Sequence, residues 1–238
     1  MRHPSDCSNF KEDCMADAKH VHITRLIAIP TVITLGVTIL RVVGELKHWP
    51  TPWFSTTAGG GMAIVGIVWL PIIFGPYFAL KLAAAGEGPA SSGKAIGYAF
   101  ASLVVYILGG VVLTKTIMHP SWLTVVGYLI TLLAGYVVAA GWRSLGRALL
   151  DYALAARIPV LIVMLFAMSG NNGAGWGTHY DRVPPEFASL PLMGKYLYMA
   201  VLPQLTVWIG WTAVVGAIFG TIAVAIVYRG KQTAQAGA

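Results

Sequence analysis

The sequence predicts an all-α fold, a polytopic membrane helical bundle with about six transmembrane helices and both termini in the cytoplasm. Two observations predict this class. Of the 238 residues, 57% are hydrophobic and only 11% are charged, against about 25% charged residues in an ordinary soluble domain. The apolar residues are also gathered into runs of about 20 residues, the length that a helix needs to cross a bilayer.

The first 21 residues predict a cytoplasmic N-terminal tail. They contain no apolar core or small-residue cleavage site of the kind that marks a signal peptide. Met15 leads directly into the first apolar run, so residues 1–14 are expected to be either a gene-start artefact or a disordered tail. Cys7 and Cys14 both lie in this segment, and two cysteines imply no disulfide framework.

The transmembrane domain is predicted to occupy residues 22–228, followed by a disordered cytoplasmic tail at residues 229–238. The fifth span has the least regular composition, because Asp151 and Arg157 lie near its expected start. The six predicted spans are Ile23–Leu46, Met62–Leu82, Ala95–Ile117, Trp122–Gly141, Leu149–Ser169 and Leu202–Tyr228.

The distribution of positive charge predicts the orientation. With the N-terminus inside, 11 of the 16 lysines and arginines fall on the cytoplasmic side and 5 fall outside, as the positive-inside rule requires. The formal net charge of +7 therefore reflects topology and not nucleic-acid binding. The location predicted on this basis is a bacterial cytoplasmic (inner) membrane, with membrane lipids as partners.

The middles of spans 1, 2, 3, 4 and 6 contain no ionisable residue. Proton relays and ion paths usually need such residues at membrane depth, and a buried b-type haem needs axial histidines. The sequence therefore argues against a proton-coupled transporter and against a haem protein, and no cofactor is predicted.

Small residues predict close helix packing. Gly93 and Gly97, and Gly216 and Gly220, each form a GxxxG pair, which could serve packing within one subunit or in a homo-oligomer or larger membrane complex. Pro71, Gly75 and Pro76 predict a kink in span 2, with free carbonyls that could face a cavity also lined by Gln204.

The long outer loop at about 170–201 is the most unusual stretch. Its aromatic residues argue against disorder, so we expect it to fold over the outer mouth of the bundle and to form a candidate binding site for a headgroup, a partner or a metal. The residues proposed for that site are Trp176, His179, Tyr180, Asp181, Arg182 and Glu186.

Three further groups of charged or ligating residues are noted. Arg41 and Glu45 are four residues apart and can pair on one helix face. Arg143, Arg147 and Arg157 are expected at lipid headgroups. A metal site is possible if the fold brings together four residues from separate connections, a weak signal because they lack a metal-motif spacing: His48, His119, His179 and Asp181.

Three functions from different classes follow. The favoured one is a non-catalytic accessory, scaffold or lipid-interacting subunit, because the spans are uncharged and the loops aromatic. The second is a facilitator or transporter for a neutral or lipid-like solute, suggested by the broken span 2 and the polar residues of span 6. The third, the least favoured, is an outer-face metal-dependent enzyme.

Overall fold

The computed structural model describes residues 21–60, 63–118 and 121–236, and this part of the chain is built from helices and connecting loops. Six helical segments in it are long and apolar enough to cross a membrane, which confirms the predicted helical fold with about six apolar spans and is compatible with an integral membrane protein. Cys7, Cys14 and His119 lie outside the described residues.

Five of the six spans contain one main helix each. These are α1 (Ile23–Leu46), α2 (Leu70–Ala84), α3 (Ser92–Thr116), α4 (Trp122–Gly141) and α5 (Arg143–Ser169). The last span is interrupted. It consists of α6 (Leu192–Tyr196), a π-helical turn (Leu197–Val201), α7 (Leu202–Leu205) and α8 (Val207–Ala236).

The helix α8 lies at the centre of the bundle. It packs against α2, α3, α4 and α5, while α1 rests on α5. The core beside it contains Phe78 and Leu82 from α2, and Leu149 and Tyr152 from α5, each at most 1% exposed. These side chains fill the space between α2, α5 and α8.

Glycine permits the closest helix contact. A Cβ atom added at Gly75 would overlap the backbone of Gly216, and one added at Gly220 would meet the Gly75 carbonyl. Gly75 therefore lets α2 and α8 approach at backbone distance. By contrast, an added Cβ would meet nothing within 4 Å at Gly97 and only Ser91 Oγ at Gly93.

Local capping sets the ends of α3 and α4. The Ser91 hydroxyl accepts a hydrogen bond from the Lys94 backbone N–H, and Ser121 and Thr124 form a reciprocal capping box. These side chains satisfy backbone donors that a helix leaves unpaired at its first turn.

The second span begins later than the sequence predicts. Residues 63–66 are not helical, and the described helix starts after them, first as a single 3₁₀ turn at Ile67–Trp69. The reason is tertiary. The N–H groups of Ile64 and Val65 donate to carbonyls of Pro52 and Trp53, so this backbone pairs with the preceding loop and not with a helix of its own.

The fifth span begins six residues earlier than predicted, at Arg143. A buried stripe on α5 explains the extension, because Leu145, Leu149, Tyr152, Ala156 and Val160 recur at helical spacing and are all buried. The stripe packs as one face of a single helix.

The last span also begins early, at Leu192, so the preceding loop is residues 170–191, shorter than the predicted 170–201. We call it the 170–191 loop. At the other end the apolar span ends at Tyr228, as predicted, and the helix α8 itself continues to Ala236.

Candidate functional site: a cavity under the 170–191 loop

A cavity of about 300 Å³ lies between α1, α5, the last span and the 170–191 loop. Its wall is largely apolar and includes Val37, Val160, Met164 and Trp208. A limited set of polar and charged side chains interrupts this wall: Thr38, Arg41, Arg157, His179, Arg182 and Gln204. An apolar pocket with a few convergent polar groups is the usual form of a small-molecule site.

Arg41 and Glu45 form the buried polar centre on α1. The predicted pair is present, with Arg41 Nε donating to Glu45 Oε1 at 2.7 Å. The guanidinium also donates through Nη1 to Val65 O at 2.9 Å, and through Nη2 to Ser55 O at 3.0 Å and to Gly60 O. Arg41 therefore fixes the segment between α1 and α2 onto the end of α1.

Gly60 suits this position for a conformational reason. Its φ is +85°, in the left-handed region that favours glycine. Its carbonyl can then reach Arg41, while an added Cβ would lie 3.4 Å from both Arg41 Nη2 and the His179 ring.

His179 completes the cluster from the 170–191 loop. Its backbone N–H donates to Glu45 Oε2 at 2.8 Å, and its ring Nδ1 lies 2.6 Å from Glu45 Oε1. Burial lowers the pKa of His179 below its ordinary value, against the opposing effect of the Glu45 carboxylate. The neutral ring then donates Nδ1–H to Glu45 and keeps Nε2 as an acceptor. We call Arg41, Glu45 and His179 the Glu45 cluster.

Asp181 folds the loop that carries His179. Its carboxylate accepts from the backbone N–H groups of Gly177 and Thr178 at 2.9 and 2.8 Å, and from the Thr178 hydroxyl. Gly175 and Gly177 have positive φ values of 83° and 76°, which lets the chain turn around this carboxylate. Asp181 is therefore a structural centre of the loop.

The other residues proposed for the loop site occupy different positions. Tyr180 is 5% exposed and lines the cavity, and burial raises the pKa of its phenol. Arg182 is at the rim and donates from Nε to Thr56 O at 3.1 Å. Trp176 packs against a buried apolar cluster that includes Met164 and Tyr180. Glu186 is exposed.

Arg157 is placed differently from its expected position at the headgroups. It lies near the middle of α5, is 4% exposed and lines the cavity. Its neighbours are Gln204, Thr212 and Trp208, the last with its ring centroid 5.1 Å from the guanidinium carbon. Arg143 and Arg147 are exposed at the start of α5, where Arg147 pairs with Asp151 at 3.8 Å.

The proposed metal site, which draws on His48, His119, His179 and Asp181, stays a prediction. Within the described ranges, no three His, Cys, Asp or Glu side chains form a group that could hold a metal ion. His179 is bonded to Glu45, and Asp181 to its own loop. His119 is outside the described residues, so its part in the proposed set stays a prediction.

The residues proposed for the kink do not lie at the cavity with Gln204. Gln204 lines the cavity, while Pro71, Gly75 and Pro76 lie elsewhere in α2. Pro71 is in the first turn of that helix, where a missing N–H costs little. The interruption beside the cavity is in the last span, where the helix departs from helical geometry at Thr206, with φ −123° and ψ −71°.

Comparison with protein-family models, with curated proteins and with solved structures finds no match to this chain.

Proposed function

We propose that the protein is a non-catalytic integral membrane protein that binds a lipid-like ligand in the cavity under the 170–191 loop. The observation that carries the proposal is the mixed character of this cavity. Apolar side chains from α1, α5 and α8 line an alkyl-sized space, and a few polar and charged groups among them could bind a headgroup. Its volume of about 300 Å³ is at the lower end of ligand sites, which suits one chain and not two.

Filling the cavity should abolish this binding. Val160 lines the cavity and is 4% exposed, so Val160→Phe should place the added ring in the space for the ligand. The matched control is Ile162→Phe, two residues along α5, because Ile162 is 51% exposed. We expect native mass spectrometry to find bound lipid-like molecules on the wild type and on Ile162→Phe, and to find them lost from Val160→Phe.

Equal occupancy in the two variants would contradict the proposal. Since Val160→Phe also risks overpacking the core, Val37→Phe on α1 repeats the test from the opposite wall. Thermal unfolding of each variant separates loss of ligand from loss of fold.

A facilitator for a neutral or lipid-like solute is the second candidate function. It is favoured by the interruption of the last span, where the π-helical turn, Pro203 and the break at Thr206 occur beside the cavity. Discontinuous helices at a binding site are typical of transporters. Solute flux into proteoliposomes that is blocked in Val160→Phe would favour this function over static binding.

We further propose that both termini are cytoplasmic and that the cavity opens on the outer side. In a Cys7→Ser, Cys14→Ser background, single cysteines at Ser121 and Ser189 should react with an impermeant maleimide from outside. Cysteines at Ser92 and Thr233 should react only after the membrane is opened. Labelling of Ser189→Cys from the inside alone would reverse the orientation.

A further inference from the structure

Arg157 is a buried cation that lacks an anionic partner within the described chain. Four of the nine acidic residues lie in residues 1–20, outside the described part. Of the others, Glu45 belongs to the Glu45 cluster, Asp151 pairs with Arg147 and Asp181 holds the 170–191 loop. Glu87 accepts from the Val21 backbone N–H, and Glu186 is exposed.

The hydrogen bonds of Arg157 are also weak. Nη1 to Gln204 Oε1 and Nη2 to Thr212 Oγ1 both measure 3.4 Å, longer than the usual range of about 2.7–3.2 Å. The Nε atom is buried and has no hydrogen-bond partner among the described atoms. A charge at membrane depth is costly unless it is paired, so this side chain is short of one anionic, hydrogen-bonding partner.

Arg41 provides the comparison inside the same cavity. Its guanidinium donates hydrogen bonds to one carboxylate and to three backbone carbonyls. The charge of Arg41 is balanced by Glu45, and its donors are bonded to its own chain. Arg157 lies within the same wall with its charge unbalanced and its Nε atom without a hydrogen bond.

We propose that Arg157 anchors the headgroup of a single-chain amphiphile that carries a carboxylate, a ligand of the fatty-acid type, with its chain against the apolar wall. This inference rests on the lipid-like ligand proposed for the cavity and adds the class of its headgroup. Arg157 lines the cavity, and its planar, fork-shaped guanidinium matches a carboxylate, which can accept two parallel hydrogen bonds from such a group. Gln204 and Thr212 accept from the two Nη atoms, and the Trp208 ring lies against the guanidinium, so these three residues hold it in place.

The charge of the site favours a monoanion. Arg157 contributes one positive charge, Glu45 offsets Arg41, and burial lowers the pKa of His179, which favours its neutral form. Arg182 is at the exposed rim, where solvent screens its charge. A phosphate dianion would leave a negative charge unmatched in an apolar cavity, whereas a carboxylate would leave none.

Equilibrium binding to the full-length, delipidated protein in zwitterionic nanodiscs tests this assignment. Three probes separate the headgroup from the chain: dodecanoate, dodecanol and acetate. We expect the wild type to bind dodecanoate more tightly than dodecanol, and acetate not to compete at equal concentration. Arg157→Gln should weaken dodecanoate binding by about tenfold or more, as for a lost charged hydrogen bond, and should leave dodecanol binding unchanged.

Two further variants keep the test decisive. Arg157→Lys keeps the charge but not the fork, so it should retain only part of the preference for dodecanoate. Arg147→Gln removes an exposed arginine from the same helix and should have no effect. Arg157→Met should abolish the rise in Tm that dodecanoate causes, without lowering the Tm of the ligand-free protein, because it removes an unpaired buried charge.

The possible results separate this inference from the function on which it rests. If Arg157→Gln binds dodecanoate as the wild type does, or if dodecanol binds as tightly as dodecanoate, the carboxylate anchor is wrong while lipid binding stands. A lower Tm of ligand-free Arg157→Met would assign Arg157 a structural role instead. Effective competition by acetate would indicate a small carboxylate without a chain. If neither C12 probe binds the wild type, the proposed lipid binding itself fails.

Discussion

Replacing Glu45 with alanine should destabilise the protein by about 3–5 kcal/mol, the range for breaking a buried ion pair from one side, and should detach the 170–191 loop. The Glu45 side chain is fully buried and accepts from Arg41 Nε and from both the ring and the backbone of His179. Its removal leaves the buried Arg41 charge without its anion and leaves the His179 backbone N–H without its acceptor.

An exposed pair with the same spacing is the control. Arg147 and Asp151 are also four residues apart on a helix, but they are 3.8 Å apart and their side chains are 73% and 47% exposed. Asp151→Ala should therefore change stability by no more than about 1 kcal/mol. Thermal unfolding in the same detergent compares the two variants.

Loop detachment needs a separate measurement. Limited proteolysis at Arg182 or Lys195, sites in and just after the 170–191 loop, should become faster in Glu45→Ala and stay unchanged in Asp151→Ala. If the two alanine variants unfold at the same temperature and are cut at the same rate, the Glu45 cluster does not hold the loop.

The end of a span can be predicted from the sequence where neighbouring residues set it. The boundaries Ile23–Leu46 and Trp122–Gly141 are the same in the prediction and in the structure. For the second of these, Ser121 supplies a cap immediately before a continuous apolar run, and Trp142 takes an extended conformation immediately after it. Hydropathy and capping are read from neighbouring residues, so sequence patterns capture them.

The starts of the second and fifth spans are predicted less well, because they depend on residues that are distant in the sequence. Residues 63–65 are as apolar as a helix requires, but their backbone bonds to Pro52, Trp53 and Arg41. Residues 143–148 look like a basic loop, but Leu145 and Ala148 are fully buried. Apolar content alone cannot tell which of two backbone pairings forms, because the competing partner is remote in sequence.

The error in the predicted start of α5 also gave a wrong expected position for Arg157 along that helix. With α5 assumed to begin at Leu149, Arg157 falls near a membrane surface, where an arginine is ordinary. With α5 beginning at Arg143, it falls at mid-helix, where an arginine needs an explanation. The sequence does contain a signal for the earlier start of α5. Leu145, Leu149 and Tyr152 have helical spacing and extend the apolar face of α5 toward its N-terminus.

The sequence identifies which residues of the 170–191 loop lie near the cavity, but it does not identify the role of each one. His179, Tyr180 and Arg182 line the cavity, and their aromatic and charged character marks them in the sequence. Asp181 resembles them in the sequence, but it serves the fold of the loop. The contact between His179 and Glu45 spans 134 residues, and no local spacing indicates it.

Gly75→Ala should destabilise the bundle by about 1–3 kcal/mol or more, the range for overpacking a core, although alanine is the better helix former. The added methyl group would overlap the backbone of Gly216, which no change of rotamer can move away. Gly97→Ala is the matched control, because Gly97 is also inside a helix but an added Cβ meets nothing within 4 Å. It should be neutral or stabilising by up to about 1 kcal/mol. If α2 and α8 pack backbone to backbone, thermal unfolding should therefore give a lower Tm for Gly75→Ala and an unchanged or higher Tm for Gly97→Ala, and equal shifts would show that they do not.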